Sequence, residues 1–112
     1  MRMIGTSTGA ALVRHSTWRG RSGRSYALSA LNLADFTLEP GAVYLVAKGG
    51  NALWVGSAED IIADQQSRAR FRLALVTADR AFRLEGASGD VERMTTIWDL
   101  EEAMPEQGLS AA

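Results

Sequence analysis

The sequence contains no cysteine and a single histidine, His15, among its 112 residues. Without cysteine, disulfide bonds and thiolate metal sites are excluded. One histidine also excludes metal sites built from several histidines and most catalytic relays that depend on histidine. No apolar run approaches the roughly 20 residues that span a membrane, and the run at 9–13 is too short for the core of a secretory signal. We therefore expect a cytoplasmic protein with no membrane partner.

The chain as a whole also lacks a large net charge of either sign, but the net charge differs between its two parts. The whole sequence carries 12 basic and 13 acidic residues, a net charge of -1. Residues 1–72 have a net charge of +4, and residues 73–112 a net charge of -5. Eleven of the basic residues are arginine, the residue suited to bidentate recognition of anions. The sequence therefore combines a basic front with an acidic end.

What is present most clearly is a hairpin followed by a helix. Two short apolar runs, residues 43–47 and 52–55, flank the glycine-rich residues 48–51. Each run has the length and composition of a β-strand, and glycine supplies the backbone angles that a tight hairpin needs. Ser57 follows as a helix-capping residue, with two acidic residues in the first helical turn.

The same reasoning predicts elements on both sides of this hairpin. Before the hairpin they are a short strand at 11–13, a loop at 16–25 and a strand at 26–30. After it they are a helix at 58–78, with a break near 66–67 where Ser67 recaps it, and a strand at 80–85. A last helix is capped by Asp90, runs to about Met104 and is stopped by Pro105. Polar and apolar residues also alternate over 70–73, as they would in a strand, so a strand remains an alternative for this segment. The order predicts one α+β domain, a small mostly antiparallel sheet with two main helices packed on it, and loose ends at 1–10 and 106–112.

Both predicted helices carry stripes at helical spacing. The apolar stripes are Ile62, Ala69, Leu73 and Val76 on the first helix, and Val91, Met94, Ile97 and Trp98, continued by Glu101, on the second. A charged stripe of Asp64, Arg68 and Arg72 also runs along the first helix, where pairs spaced by four residues support helix formation.

The residues Ala42-Val43-Tyr44 and Trp54-Val55-Gly56, followed by an acidic helix start, resemble the core of the GIY-YIG nuclease superfamily. Tyr44 matches the tyrosine of the first motif, and Gly56 matches the glycine of the second. Trp54 stands where the second motif has a tyrosine. The resemblance implies a small antiparallel sheet flanked by helices and, in an active member, hydrolysis of nucleic acid with a Mg²⁺ ion.

The resemblance also points to candidate catalytic residues, namely Tyr44, Trp54, Arg68 and Glu101. The family's catalytic arginine falls on Asp64 in this chain, and Arg68 lies one turn later on the same face. Glu101 matches the position of the metal-binding glutamate and is the candidate metal ligand. A carboxylate at the arginine position repels a developing phosphate charge, so we expect no nuclease activity and no cofactor.

A second constellation suits nucleic acid, because it interleaves guanidinium groups with aromatic rings. Its members are Arg14, Trp18, Arg19, Arg21, Arg24 and Tyr26, with His15 beside them. Arginine would contact phosphates, and Trp18 or Tyr26 would stack on a base. The open alternative is a solvated surface loop with Trp18 folded onto the core.

Two further charged groups have simpler interpretations. In the cluster Arg68, Arg70 and Arg72, the first and last share a helix face and suit pairing with Asp64 within the helix, whereas Arg70 stands off that face if the segment is helical. Glu92, Asp99, Glu101 and Glu102 suit a solvated helix face, or a carboxylate pair that holds a divalent ion.

The sequence thus leaves three functions open. The first is a non-catalytic domain that binds DNA or RNA through the basic constellation. The second is a protein-interaction or assembly domain, such as a homodimer formed by the final helix with Met94 and Trp98. The third is a divergent Mg²⁺-dependent nuclease that uses Arg68 and Glu101.

Overall fold

The computed structural model of the chain describes residues 14–86 and 89–106. Within these ranges the elements are β1 (His15–Arg19), β2 (Ser25–Leu31), β3 (Ala42–Lys48), β4 (Asn51–Gly56), α1 (Ala58–Ala63), α2 (Gln65–Thr77), β5 (Arg80–Glu85), α3 (Asp90–Leu100) and β6 (Met104–Pro105). The α+β class is confirmed. The sheet is larger than predicted, with six strands, and three helices accompany it instead of two. No helix in the described ranges is long and apolar enough to cross a membrane.

The six strands form one antiparallel sheet in the order β4-β3-β5-β2-β1-β6. The sheet curls until its two edges approach each other. A Cβ atom placed on Gly50, in the turn between β3 and β4, would lie 3.5 Å from Cγ of Pro105 in β6. The result is a nearly barrel-shaped sheet with an inner and an outer face.

The predicted hairpin is confirmed, with Tyr44 and Trp54 on adjacent antiparallel strands. Tyr44 lies opposite Gly56, and Trp54 lies opposite Val46. Gly49 has a φ of 58°, the left-handed value that the first central residue of a type II′ turn requires. Glycine adopts this value without strain, which explains the glycine-rich break between the two strands.

A β-bulge in β4 was not predicted and changes which side chains point outward. Ala52 lies opposite Ala47 and Trp54 opposite Val46, so Leu53 is an extra residue without its own partner. One extra residue shifts the alternation of side chains to the other face of the sheet. The bulge therefore turns Trp54 onto the outer face and leaves Leu53 40% exposed.

β3 separates two hydrophobic cores, one on each face of the sheet. Its residues 42–47 are all buried, because both faces are covered. The inner core gathers Trp18, Tyr26, Leu28, Val43, Leu45 and Phe82 with Leu100 of α3. The outer core gathers Ala42, Tyr44, Val46 and Trp54 with Ala74 of α2.

The long helix predicted over 58–78 is two helices with a break at Asp64. Ser57 caps α1 in a reciprocal capping box with Asp60, as its position predicts. Asp64 ends α1 and caps α2 by accepting a hydrogen bond from the Gln66 N–H at 3.0 Å. The break thus lies before the predicted residues, and Ser67 does not recap the helix. The strand alternative at 70–73 is wrong.

The predictions for the two ends of the domain need correction. Residues 16–19 of the predicted loop belong to β1, and a tight turn joins this strand to β2. α3 begins after Gly89, which gives no side-chain cap, and it ends at Leu100. The chain then turns back so that Met104 and Pro105 pair with β1.

The predicted loose ends at 1–10 and 107–112 and the predicted strand at 11–13 lie outside the described residues. Glu106, which the second loose end included, is anchored, because its N–H donates to the Thr17 carbonyl at 2.8 Å.

We expect the change Gly56→Ala to destabilise the outer core. The ring of Trp54 lies over Gly56, so an added Cβ would fall 2.7 Å from the Cη2 atom of that ring. Overpacking of this kind costs about 1–3 kcal/mol of unfolding free energy. Gly50→Ala is the matched control, because its Cβ meets Pro105 at an ordinary contact distance of 3.5 Å. Urea unfolding measures both, and equal stability of the two variants would contradict the outer-core packing.

Candidate functional site

A cleft of about 370 Å³ lies between α2 and α3, with β4 as its floor. We call it the α2–α3 cleft. Leu53 and Trp54 line the floor, Arg70 lines the α2 wall, and Met94, Trp98 and Glu101 line the α3 wall. Trp54 and Glu101 are two of the four residues that the GIY-YIG resemblance singled out. The fold therefore brings these two candidates to one cleft.

Tyr44 and Arg68, the other two candidates, do not line the cleft. Tyr44 is 1% exposed, and its hydroxyl accepts a hydrogen bond from the Glu39 N–H at 2.8 Å. The Arg68 guanidinium donates to the Ile61 carbonyl at 2.8 Å and so ties α2 to α1. Asp64, at the family's arginine position, caps α2. These contacts give the three residues structural roles.

The aromatic residues of the basic constellation belong to the core. Trp18 is fully buried and meets Phe82 edge-on, with ring centroids 5.6 Å apart. Tyr26 is 6% exposed and packs in the same inner core. Neither ring is free to stack on a base in this fold. The interpretation of Trp18 as a core residue is therefore the one that the structure supports.

The arginines of this constellation lie on the surface, and three of them have local partners. Arg19 pairs with Glu106 at 3.2 Å. The Arg24 guanidinium lies 5.1 Å from the ring centre of Tyr26. Arg21 contacts α3, because its Nε donates to the Trp98 carbonyl at 2.8 Å and its guanidinium lies 4.2 Å from the centre of the Trp98 ring. Arg14 is exposed just before β1. The turn after β1 is therefore fastened to α3.

A buried carboxylate, Asp99 of α3, is the centre of this attachment. It is 3% exposed and accepts hydrogen bonds from the Ser22 N–H at 2.8 Å, the Ser22 hydroxyl at 2.7 Å and the Tyr26 hydroxyl at 2.7 Å. Gly20 leaves room for it, because a Cβ there would lie 2.8 Å from Asp99 Oδ2. Burying a charge is costly unless it is hydrogen-bonded in this way.

The protonation of this pair follows from its surroundings. Burial alone would raise the pKa of Asp99. The hydrogen bonds from Ser22 and Tyr26 and the charge of Arg21 outweigh burial and hold that pKa below its usual 3.8. Burial, together with the bond to Asp99 and its negative charge, raises the pKa of Tyr26 to about 12. Asp99 is therefore an anion and Tyr26 a neutral donor at neutral pH.

With Asp99 held inside, α3 turns most of its apolar stripe to solvent. Thr96, Asp99 and Leu100 are buried, at 7%, 3% and 0% exposure. On the opposite side of the helix Val91, Met94 and Trp98 are 79%, 65% and 51% exposed, whereas Ile97, the remaining apolar member of the predicted stripe, is partly buried against the inner core. An amphipathic helix normally does the reverse. This inverted orientation is the most informative feature of the surface.

The apolar stripe predicted on the first helix also faces outward. Ile62, Leu73 and Val76 are 79%, 72% and 79% exposed, while Ala74 points into the outer core. Leu73 lines a hollow of about 240 Å³ that shares Leu53 and Arg70 with the α2–α3 cleft. The two hollows therefore adjoin, and exposed apolar side chains line both.

The carboxylates predicted to hold an ion do not converge. Within residues 14–86 and 89–106, no three acidic or histidine side chains are grouped as metal ligands. Glu101, the candidate ligand, lies 3.7 Å from Arg21 instead. Asp99 is in the inner core, and Glu92 and Glu102 are exposed. The predicted solvated helix face therefore holds for the exposed glutamates and is wrong for Asp99.

Sequence reasoning missed how three residues shape this surface. Leu53 depends on a bulge that no local pattern announces. Asp99 depends on donors 73 and 77 residues away in the chain. The role of Arg70 could have been inferred from the sequence. Helical spacing places Arg70 off the face that Arg68 and Arg72 share, so it is not directed toward Asp64.

We expect the change Asp99→Asn to lower stability in a pH-dependent way. An amide cannot accept all three hydrogen bonds, and an unsatisfied buried group costs about 1–3 kcal/mol. The folded-state pKa of Asp99 lies below the unfolded value of 3.8, so the stabilisation is present above that pH and is lost as the pH falls through the folded pKa.

Urea unfolding of the wild-type and Asp99→Asn chains from neutral to acidic pH measures this effect. The difference in unfolding free energy between them should be constant above about pH 5 and should shrink below the reference pKa of 3.8. A difference that stays constant down to the acid limit, or that grows there, would refute the role of the buried anion.

No protein-family model, no curated protein and no solved structure matches this chain. The GIY-YIG resemblance carried by Tyr44, Trp54 and Gly56 stays a prediction from the sequence.

Proposed function

We propose that this chain is a protein-interaction domain that docks its partner in the α2–α3 cleft. The observation that carries the proposal is the inverted orientation of α3, which buries Asp99 and exposes Met94 and Trp98. Leaving an apolar stripe in water forgoes about 1.5–3 kcal/mol for each large side chain. A partner that covers the stripe recovers this free energy.

The apolar residues around the cleft form a joined surface. Leu53 and Leu73 line the hollow beside α2, and Met94 and Trp98 line the α3 wall. Large exposed apolar patches of this kind mark interaction sites in soluble proteins. Tryptophan and methionine are enriched in such patches, and tryptophan often dominates the binding free energy.

Trp98 has the properties of a preorganised anchor. The guanidinium of Arg21 covers one side of its ring at 4.2 Å, while half of the residue stays exposed. A side chain that is already fixed loses little conformational entropy when a partner binds. The same contact connects the anchor to the turn that Asp99 holds, so the core network positions the interaction surface.

The partner is expected to dock through side chains and not by adding a strand. β4 is the edge of the sheet on this side. A bulged edge does not present the regular ladder of N–H and C=O groups that strand addition needs, and the bulge at Leu53 lies in the middle of this edge. The groove between two helices instead suits an apolar helix or loop.

Nucleic-acid binding stays a prediction, and fewer residues of the basic constellation are now candidates for it. Because Trp18 and Tyr26 are in the core, it would rest on phosphate contacts by Arg14, Arg19, Arg21 and Arg24 alone. The α2–α3 cleft does not favour it, since Asp60, Asp64 and Glu101 line the cleft and repel phosphate. The nuclease alternative lacks an arginine at the family's position, which Asp64 occupies.

Selection of displayed random peptides on the immobilised full chain tests this proposal. We expect binders rich in apolar residues, whose affinity falls at least about thirtyfold in Trp98→Ala, the weakening that a hot-spot residue of about 2 kcal/mol produces. Val76→Ala is the matched control, because Val76 is an exposed apolar residue that does not line the cleft.

Thermal melting should be similar in both variants, since each removed side chain is half exposed or more. Binders that respond to Val76→Ala and not to Trp98→Ala would contradict docking in the cleft. Failure to select any binder that depends on Trp98 would do the same.

A further inference from the structure

We infer that the partner presents a short basic segment with apolar anchors to the α2–α3 cleft. The inference rests on the proposed function, because it names the chemistry of the occupant of this cleft. It is carried by an imbalance of charge in the lining, by the apolar residues beside those charges, and by the size of the cleft.

The charged side chains that line the cleft are predominantly acidic. The three carboxylates of Asp60, Asp64 and Glu101 stand against the single guanidinium of Arg70, which gives the lining a net charge of -2. Among the described residues, Asp60, Asp64 and Arg70 take part in no ion pair, and Glu101 has only a contact of 3.7 Å with Arg21. A cleft of this charge attracts a basic occupant and disfavours an acidic one.

Two of the three carboxylates are available to an occupant. The Glu101 side chain is 51% exposed. Asp64 is exposed and caps α2 with its Oδ1 atom, so its Oδ2 atom accepts no hydrogen bond from the described residues. Asp60 is half-buried, and its Oδ2 atom completes the capping box with Ser57. We therefore expect Asp64 and Glu101 to contact the basic groups, while Asp60 adds its charge to the field of the cleft.

The apolar residues indicate a peptide segment and not a free cation. Leu53 and Trp54 form the floor beside the carboxylates, and Met94 and Trp98 form the α3 wall. A metal ion gains nothing from such side chains, and no three potential ligands are grouped for one within residues 14–86 and 89–106. Lysine and arginine carry their charge on an aliphatic stem that packs on apolar surface. Apolar neighbours in the same segment would cover the rest of the floor and wall.

The size of the cleft suits a short segment. Its volume is about 370 Å³, and the adjoining hollow adds about 240 Å³. The α2 wall extends from Asp64 to Leu73, about 13 Å at 1.5 Å per residue, which is the length of about nine helical or four extended residues. The acidic residues of this wall stand at its first end and Leu73 at the other. The segment is therefore expected to carry its basic residues toward one end.

Selection of displayed random dodecapeptides on the immobilised full chain tests the inference through the sequences that bind. We expect wild-type binders to be enriched in lysine and arginine as well as in apolar residues. The basic enrichment should be lost against the double variant Asp64→Asn/Glu101→Gln. Asparagine caps a helix as well as aspartate does, so α2 keeps its cap in this variant. Asp60 is left unchanged because its carboxylate completes the capping box.

The most enriched peptide that depends on Trp98 is then synthesised, with a counterpart in which glutamine replaces every lysine and arginine. Fluorescence anisotropy at low salt measures both. The affinity of the basic peptide should fall about two- to fivefold in Asp64→Asn and in Glu101→Gln, the range expected for exposed ion pairs. Arg70→Gln should raise that affinity, because it removes a cation from the lining. The neutral counterpart should respond to none of these changes.

Glu102→Gln is the matched control, because it neutralises an exposed carboxylate next to Glu101 that does not line the cleft. Binders that depend on Trp98 but show no excess of basic residues overturn the inference and leave the proposed function standing. A basic peptide that is insensitive to Asp64→Asn, Glu101→Gln and Arg70→Gln overturns the inference too, since its charge would be recognised elsewhere. Failure to select any binder that depends on Trp98 removes the proposed function and the inference with it.

Discussion

The burial of one carboxylate decides which side of α3 meets the core. Asp99 satisfies its charge with the main chain and hydroxyl of Ser22 and the hydroxyl of Tyr26, and Gly20 leaves it the necessary space. These donors stand on β2 and on the turn before it, so α3 can reach them only with Asp99 turned inward. Leu100 and Thr96 follow Asp99 into the core, and Met94 and Trp98 are left outside. The orientation of the helix thus satisfies the polar network of Asp99 and also packs Leu100 and Ile97 against the inner core.

The consequences of this orientation extend to the surface. The turn that holds Asp99 also places Arg21 on Trp98, so the residue that anchors the proposed interface is fixed by the network beneath it. On the other wall, α2 packs through Ala74 and exposes Leu73 beside Arg70. A chain of this size buries a modest core, so apolar side chains left in water on both walls of the cleft are a notable loss of buried area. These exposed side chains are the surface that the proposed interface would cover.

Local sequence patterns predicted the elements whose physics is local. The hairpin followed from apolar runs around Gly49 and Gly50, and the start of α1 followed from Ser57. The outward direction of the α3 stripe was not predictable in the same way, because Asp99 finds its donors more than 70 residues earlier in the chain. The bulge at Leu53 and the pairing of Met104 with β1 also depend on distant partners. For the same reason the sequence left open whether Trp18 is exposed in a loop or packed in the core. Its burial depends on the sheet that β1 joins.

Hydroxyl-radical footprinting of the full wild-type chain at high dilution tests the orientation of α3 most directly. The account predicts rapid oxidation of Met94 and Trp98, which are 65% and 51% exposed, and protection of Trp18 and Trp54, which are 0% and 5% exposed. Peptide mass spectrometry resolves the three tryptophans without any substitution. Protection of Trp98 at dilution to the same degree as Trp18 would show that α3 packs with its apolar stripe inward, and it would contradict the central claim.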